Sequence, residues 1–280
     1  MTLAPSPTRA PAPVASQPRA QGHARITARL RNGRSRIGAL YEQGSAKIRV
    51  PRTQGPALQA VILNTAGGIT GGDDLRYDVA AEDGAWLTLA TQTAERAYRA
   101  QPGTTGRLTA TMRIAPGATL EWLAQETILF DRCAFSRSLS VEMAADARLL
   151  LVEPVVLGRE AMGERVARGA FRDSQSIRRD GRLIYADMTR IDGPLADVAA
   201  HPAALRGARA WATLLYAAPD AEDRLEALRA VLPGTECGAS AFDGMISARI
   251  VSPDGYELRR TLAQAMRLFR NAPLPRVWEM

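Results

Sequence analysis

The chain has 280 residues, of which 46% are hydrophobic and 23% charged, and its formal net charge is +7 at pH 7. This length can bury a substantial core in one large or two small domains, and the composition excludes a chain that is disordered throughout. No stretch approaches the roughly 20 apolar residues of a membrane span, and no signal-peptide core is present, so the sequence predicts a soluble, cytoplasmic protein.

The charged residues narrow the choice of partners. Lys47 is the single lysine, so arginine supplies the rest of the basic charge. Arginine makes planar, bidentate contacts with carboxylates and phosphates, which fits an acidic protein partner or a nucleic acid. Cys133 and Cys237 lie far apart without a metal-binding spacing, so we expect buried structural thiols.

The chain begins with residues 1–24, which are rich in Pro, Ala and Ser and offer almost nothing to bury. We expect a disordered tail there. From Ala24 to Arg190 apolar and polar residues alternate with period two, which predicts strands. The first two strands flank the turn signal Asn32-Gly33 and form a hairpin.

A glycine-rich stretch, LNTAGGITGGDD, runs from Leu63 to Asp74. A phosphate-binding loop needs a lysine and a hydroxyl residue directly after the glycines, whereas Asp73 and Asp74 follow here and would repel a phosphate. Strand patterns lie on both sides of the stretch. It is therefore predicted to be a tight corner between two strands, with glycines that allow positive φ and close backbone approach.

A weak repeat follows, in which three segments each consist of a strand, a short turn and a second strand. The turns are centred on Gly84, Gly117 and Asp146. Repeated units of this size indicate strands stacked in a solenoid-like arrangement, with an ordinary β-sandwich as the alternative.

The pattern changes after Asp192-Gly193. Helices are predicted after Pro219 and around Leu258 to Phe269, a strand from Met245 to Ile250, and a further helix within Pro194 to Leu215. The predicted fold is mainly β: stacked sheets in a β-helix-like body over 25–192, and a small α/β element over 193–280 that packs on the body and ends in an exposed tail.

Catalytic patterns are weak. Only His23 and His201 are present, and neither has a recognisable catalytic setting. No spacing marks a general acid/base pair among the carboxylates, so a hydrolase that uses paired carboxylates is a third hypothesis without a spacing signal to support it. The carboxylates considered are Asp73, Glu95, Glu126, Asp131, Glu153 and Glu164.

Four motifs in order resemble those of the urease accessory protein UreD family, also called UreH. They are NTAGGITGGD (64–73), TQTAERAYR (91–99), LEWLAQETILFD (120–131) and LGREAMGE (157–164). The resemblance runs from about Ala24 to the closing LPRVW. It implies a non-enzymatic chaperone that binds apo-urease and, with UreF and the GTPase UreG, helps to deliver nickel to the urease active site. It also implies a β-rich, helix-like stack of sheets with a small helical element.

The resemblance further implies a transient nickel path, with no tightly bound cofactor. The chain is poor in histidine and cysteine, the strong nickel ligands, which suits transit better than storage. Residues within the motifs that offer oxygen ligands are the expected lining. They are Asp73, Thr91, Thr93, Glu126 and Glu164. Each also has a structural interpretation: Asp73 could cap a turn and Glu126 could pair with an arginine.

A UreF interface is expected at the C-terminus, where Arg276 and an exposed Trp278 have the composition of a binding hot spot. The alternative is that Trp278 folds back onto its own domain. A different class of protein, a basic β-rich nucleic-acid-binding protein, stays open as the second hypothesis, although the chain shows no recognised nucleic-acid motif.

Overall fold

The computed structural model describes residues 18–159, 163–234 and 236–279. Its strands and helices have these bounds: β1 Gln21–Arg31, β2 Arg34–Gly44, β3 Ala46–Arg49, β4 Leu58–Asn64, β5 Asp74–Ala81, β6 Trp86–Thr91, β7 Glu95–Ala97, β8 Gly106–Ile114, β9 Thr119–Leu123, β10 Thr127–Leu129, β11 Ala134–Met143, β12 Arg148–Leu157, β13 Arg168–Arg179, β14 Arg182–Pro194, α1 Leu195–Ala200, β15 Ala210–Ala217, α2 Leu225–Val231, β16 Gly238–Phe242, β17 Met245–Ser252, α3 Gly255–Phe269 and α4 Arg276–Glu279.

Two sheets form the body. Sheet A has seven strands in the order β14-β13-β11-β8-β5-β1-β2, and sheet B has ten, in the order β16-β17-β15-β12-β9-β6-β4-β3 with β10 and β7 beside β12. The central strands of both sheets run parallel to their neighbours. The chain passes from one sheet to the other and back, which confirms the predicted β-helix-like body.

The predicted repeat is confirmed strand by strand. β5 and β6, β8 and β9, and β11 and β12 are the three strand-turn-strand units. Their turns stack, since Gly84 N donates to Pro116 O over 2.9 Å and Gly117 N donates to Asp146 Oδ1 over 3.0 Å. Leu87, Leu120 and Leu149 hold equivalent positions in successive units and are fully buried. Burial of each such side chain stabilises the fold by about 1.5–3 kcal/mol.

The glycine-rich stretch joins β4 in sheet B to β5 in sheet A, as the corner prediction requires. Gly67 and Gly72 have φ of 78° and 92°, in the region that favours glycine. At Gly71 a Cβ would lie 1.9 Å from Thr104 Oγ1. Positive φ and close approach therefore both explain the glycines.

One prediction, at the N-terminal boundary, needs correction, and one strand after the body was not predicted. Residues 21–24 were expected in the disordered tail but begin β1, where Ala24 is fully buried between β2 and β5. Residues 1–17 lie outside the described residues. Within Pro194 to Leu215 only α1 is helical, and β15 takes up the end of the segment because all eight of its residues are buried between β12 and β17.

The C-terminal region adds three strands to sheet B and a layer of helices over that sheet. α2, α3 and β17 lie where helices and a strand were predicted. Asp254 caps α3, since its Oδ1 accepts from Glu257 N over 2.8 Å, a contact typical of helix N-termini. One core fills the space between the sheets, and a second lies between sheet B and the helices. The division at residue 192 stays a prediction.

Candidate functional site

A polar cluster lies inside the body, between the two sheets. It is centred on Arg137, which occupies an inward position of β11 between Phe135 and Leu139 and is only 3% exposed. A buried guanidinium requires paired carboxylates and hydrogen-bond acceptors, because leaving it without partners in the core would cost several kcal/mol. The neighbouring strands supply them.

Two carboxylates hold Arg137. Its Nε donates to Asp173 Oδ1 over 2.9 Å and its Nη2 to Asp173 Oδ2 over 2.6 Å, in a bidentate pair with β13. Its Nη1 donates to Glu153 Oε2 on β12 and to Thr127 Oγ1 on β10, the latter over 3.2 Å. Two buried acids thus share one buried base.

Glu153 has a further partner besides Arg137. It accepts a hydrogen bond from Trp122 Nε1 over 2.6 Å and is 3% exposed. Burial raises the pKa of Glu153 to about 7; Arg137 opposes this shift and Asp173 adds to it. Near neutral pH this carboxyl therefore exchanges between its neutral and its ionised form.

A cavity of about 80 Å³ lies beside the cluster, which is room for a few water molecules. Arg137, Glu153, Trp122 and Thr127 form its inner wall. Gln92 and Thr93 also line it and are exposed, so the cavity reaches the surface at the segment that follows β6.

Glu95 stands on another part of the cavity wall. Asn64 Nδ2 lies 3.3 Å from both of its carboxylate oxygens. Although Glu95 is half-buried as a residue, burial of its carboxylate raises its pKa to about 7. A second group that titrates near neutral pH therefore faces the same cavity.

The charges around this cavity do not balance. The cavity lining carries two carboxylates, Glu95 and Glu153, and two guanidinium groups, Arg137 and the exposed Arg96, while Asp173, which binds Arg137 from outside the lining, is a third carboxylate. When all are ionised, one negative charge is left over in a region of low dielectric constant. Such a region favours a proton or a metal cation, and its oxygen donors suit weak, reversible coordination.

The structure brings only two of the five predicted path residues to this cavity. Thr91 and Thr93 line it, and Thr91 Oγ1 accepts from Gln125 N over 2.9 Å. Asp73 instead caps the glycine-rich corner, where its oxygens accept from Ala20 N and Thr70 N, each over 2.8 Å.

The other two predicted carboxylates also have structural partners outside the cavity lining. Glu126 pairs with Arg259 of α3 over 3.4 Å. Glu164 accepts from Arg159 N over 3.1 Å and from Asp131 N over 3.3 Å. The turn-cap interpretation of Asp73 and the arginine pairing of Glu126 are therefore the ones the structure shows.

Sequence reasoning missed the cluster itself. Glu153 was considered only as a carboxylate without a paired spacing, and Arg137 was not singled out. A signal was present, since Arg137 interrupts the inward apolar positions of β11 and Glu153 interrupts the apolar run of β12. A charge at a core position predicts a buried partner.

The expected exposure of Trp278 is wrong. Trp278 is 4% exposed, its Nε1 donates to Leu123 O over 3.0 Å, and Arg259 stacks on its ring at 4.7 Å. The tail folds back because this large side chain completes the core between sheet B and α3. Arg276 is exposed, so a contact with UreF stays a prediction for that residue alone.

The fold and the site together define a class: a two-sheet β-solenoid-like protein with an acidic cavity between its sheets. In the described parts of the chain no helix is both long and apolar enough to cross a membrane.

Comparisons with known proteins give the family. A family model described as UreD urease accessory protein matches residues 20–279. The chain is 46% identical to a urease accessory protein UreD of Rhizobium leguminosarum bv. viciae, over 94% of this chain and 96% of the relative. It is 43% identical to that of Azorhizobium caulinodans, over 94% and 97%, and 45% identical to that of a Methylobacterium species, over 95% and 98%. The chain belongs to the UreD family of urease accessory proteins.

Proposed function

We propose that this protein is a maturation chaperone that binds the urease apoprotein in the cytoplasm and, together with UreF and through it UreG, supports nickel delivery to the urease active site. It would act without catalysis of its own, and nickel would be its cargo and not a resident cofactor. Family membership supports the role in maturation.

The observation that carries the nickel proposal is the pair of glutamates that face one cavity. Glu95 and Glu153 line one cavity that reaches the surface, and the pKa of each is raised to about 7. A divalent cation could displace protons from both carboxyls as it enters, and the returning protons would help it to leave. Binding that is weak and reversible is what a conduit requires.

The strong nickel ligands are poorly placed for storage. Cys133 is buried, and burial raises the pKa of its thiol to about 12, so the thiolate that binds nickel is scarce at neutral pH. Among the described residues no group of three or more His, Cys, Asp or Glu side chains is gathered as a metal site. The proposed path therefore depends on the oxygen donors of Glu95, Glu153, Thr91 and Thr93.

The test is nickel incorporation into urease in cells that carry the complete maturation system. We expect Glu95→Gln with Glu153→Gln to lower both the nickel content and the activity of purified urease, because the amides remove the charge and keep the shape. Recovery of the intact accessory complex is measured in parallel.

Glu121→Gln is the matched control, since Glu121 is also a buried glutamate of sheet B but does not line this cavity. Normal nickel incorporation by the double variant, in an intact complex, would remove the cavity from the proposal and leave the family role standing. An equal loss in Glu121→Gln would show that the effect is one of stability.

A further inference from the structure

The hairpin of β1 and β2 forms one edge of sheet A. β2 ends the sheet and has β1 as its strand neighbour within it. From Arg34 to Gly44 only Ser35 is buried, and its backbone N–H donates to Pro56 O over 2.7 Å, so the exposed part of the edge runs over 36–44. An exposed edge strand offers backbone N–H and C=O groups to an additional strand, so natural proteins cover or protect such edges.

Four arginines crowd the outer face of this hairpin. Arg29 stands directly opposite Arg36, and Arg31 directly opposite Arg34. Like charges in directly opposed positions destabilise a strand pair. Among the described residues none of the four forms an ion pair with a carboxylate, and Arg34 donates instead to Gly55 O over 3.2 Å. The nearby Glu42 is engaged with Arg49 over 3.0 Å and with Ile48 N.

The inner side of the same hairpin is apolar where it reaches the edge. Leu30, Ile37 and Leu40 are exposed by 49%, 38% and 44%. Ile37 and Leu40 lie opposite Ala28 and Ile26, two buried residues of the core. The core between the sheets therefore continues into an uncovered apolar edge.

The opposite edge of sheet A has a different charge balance. On β14, Arg182 pairs with Asp243 over 2.8 Å and Arg190 with Asp192 over 3.4 Å. Both edges belong to one sheet and both carry arginines, but within the described residues carboxylates pair with the arginines of β14 and not with those of β2. We therefore expect the arginines of β2 to pair with carboxylates of another molecule.

We propose that the edge of β2 binds an extended acidic segment of a partner protein, which joins sheet A as a further strand. Its side chains would alternate: carboxylates on the outer face beside Arg34 and Arg36, and apolar side chains on the inner face beside Ile37 and Leu40. Arginine and carboxylate can pair bidentately there, while main-chain hydrogen bonds supply the affinity.

The chemistry of the hairpin selects this occupant over two others. A second copy of the chain would place arginine against arginine, which repels. A nucleic acid would satisfy the arginines and could stack on the exposed Tyr41 of β2, but it would leave Leu30, Ile37 and Leu40 uncovered, because aliphatic side chains offer no stacking platform for bases. None of these residues lines the cavity, so the proposal is independent of the nickel path.

The experiment uses the full chain and a fluorescent peptide of about ten alternating glutamate and valine residues, which matches the length of β2. We expect binding to this peptide and none to a twin in which lysine replaces each glutamate. Arg34→Glu with Arg36→Glu should weaken binding at least about tenfold. The variant should still fold, since each new glutamate stands opposite Arg31 or Arg29. The matched control, Arg182→Glu with Arg190→Glu on β14, should bind the peptide as the unaltered chain does.

Hydrogen exchange then locates the contact. Addition of a strand should slow amide exchange within 34–44 and leave 182–194 unchanged. Equal binding by the β2 variant, or protection elsewhere without protection of β2, would overturn the proposal. Tighter binding of a duplex or single-stranded DNA oligonucleotide to the same arginines, with no slowing in 34–44, would overturn it in favour of a nucleic-acid ligand.

Discussion

Two buried ion-pair clusters lie on opposite faces of sheet B, and they differ in their ratio of acid to base. On the face toward sheet A, Arg137 is shared by Glu153 and Asp173. On the face toward the helices, Glu121 pairs with Arg270, and Thr88 Oγ1 also donates to Glu121 over 2.5 Å.

The difference separates a structural pair from a site that can take up a cation. Glu121 and Arg270 are one acid and one base, so their charges cancel, and Arg270 also ties the chain after α3 by donating to Pro273 O over 3.0 Å. Around Arg137 the acids are in excess and a cavity adjoins them. Glu121 also lines a cavity, so neither burial nor access identifies a functional cluster by itself; its residual charge does.

The largest expected effect follows from removing the shared base. Arg137→Met leaves two buried carboxylates without a cation, so we expect a loss of roughly 3–5 kcal/mol in the free energy of unfolding. Arg270→Met leaves only one, still hydrogen-bonded to Thr88, and should cost less. Urea unfolding at pH 7 measures both.

Adding Glu153→Gln to Arg137→Met should recover part of the lost stability, because one of the two buried carboxylates that lack a cation is then replaced by a neutral amide. A greater loss for Arg270→Met than for Arg137→Met would contradict the difference drawn between the clusters.

A smaller effect is expected at Trp278, which closes the core on the helix side of sheet B. Trp278→Phe keeps an aromatic ring under Arg259 but removes the donor to Leu123 O. An unsatisfied buried carbonyl costs about 1–3 kcal/mol, which thermal or urea unfolding would detect. Stability unchanged within error would mean that this hydrogen bond does not hold the tail, and that its burial depends on packing alone.

An effect of similar size is expected in the pH dependence of stability, which is specific to the cavity. Burial raises the pKa of Glu153 from 4.5 to about 7, so the folded state binds this proton more tightly than the unfolded chain does. The resulting stabilisation is complete below pH about 4.5, declines as the pH rises, and is lost above about 7. Glu95 acts in the same direction.

The free energy of unfolding should fall between pH 5 and pH 7.5 in the unaltered chain. We expect this fall to be smaller by about 1–3 kcal/mol in Glu153→Gln. Urea titrations at the two pH values give the comparison. An unaltered slope in the variant would show that Glu153 is not the group that titrates.

Local pattern was enough to predict the repeating body. Alternation fixed which residues of β5, β8 and β11 face inward, and turn residues at Gly84, Gly117 and Asp146 marked where each unit turns. β15 was not predicted, because a strand that is buried on both faces shows no alternation of apolar and polar residues. Its apolar run could not be distinguished from a buried helix.

The candidate site was predicted only in part, for a related reason. Thr91 and Thr93 were expected on the nickel path and line the cavity, whereas Asp73, Glu126 and Glu164 have hydrogen-bond or ion-pair partners outside its lining. A motif shows which residues belong together in a family, but it does not show which way a carboxylate points. The partner of a charged side chain often lies on a segment that is distant along the chain.

By itself, then, the sequence determined the family, the stacked strands and the corner at the glycine-rich stretch, since each depends on residues close together along the chain. The tertiary structure alone decided the burial of Trp278, the gathering of Glu153, Asp173 and Arg137, and the unmatched arginines of β2. The first two features arise where elements 16 to 155 residues apart along the chain meet, and whether a charge is paired or shared is decided only by that contact.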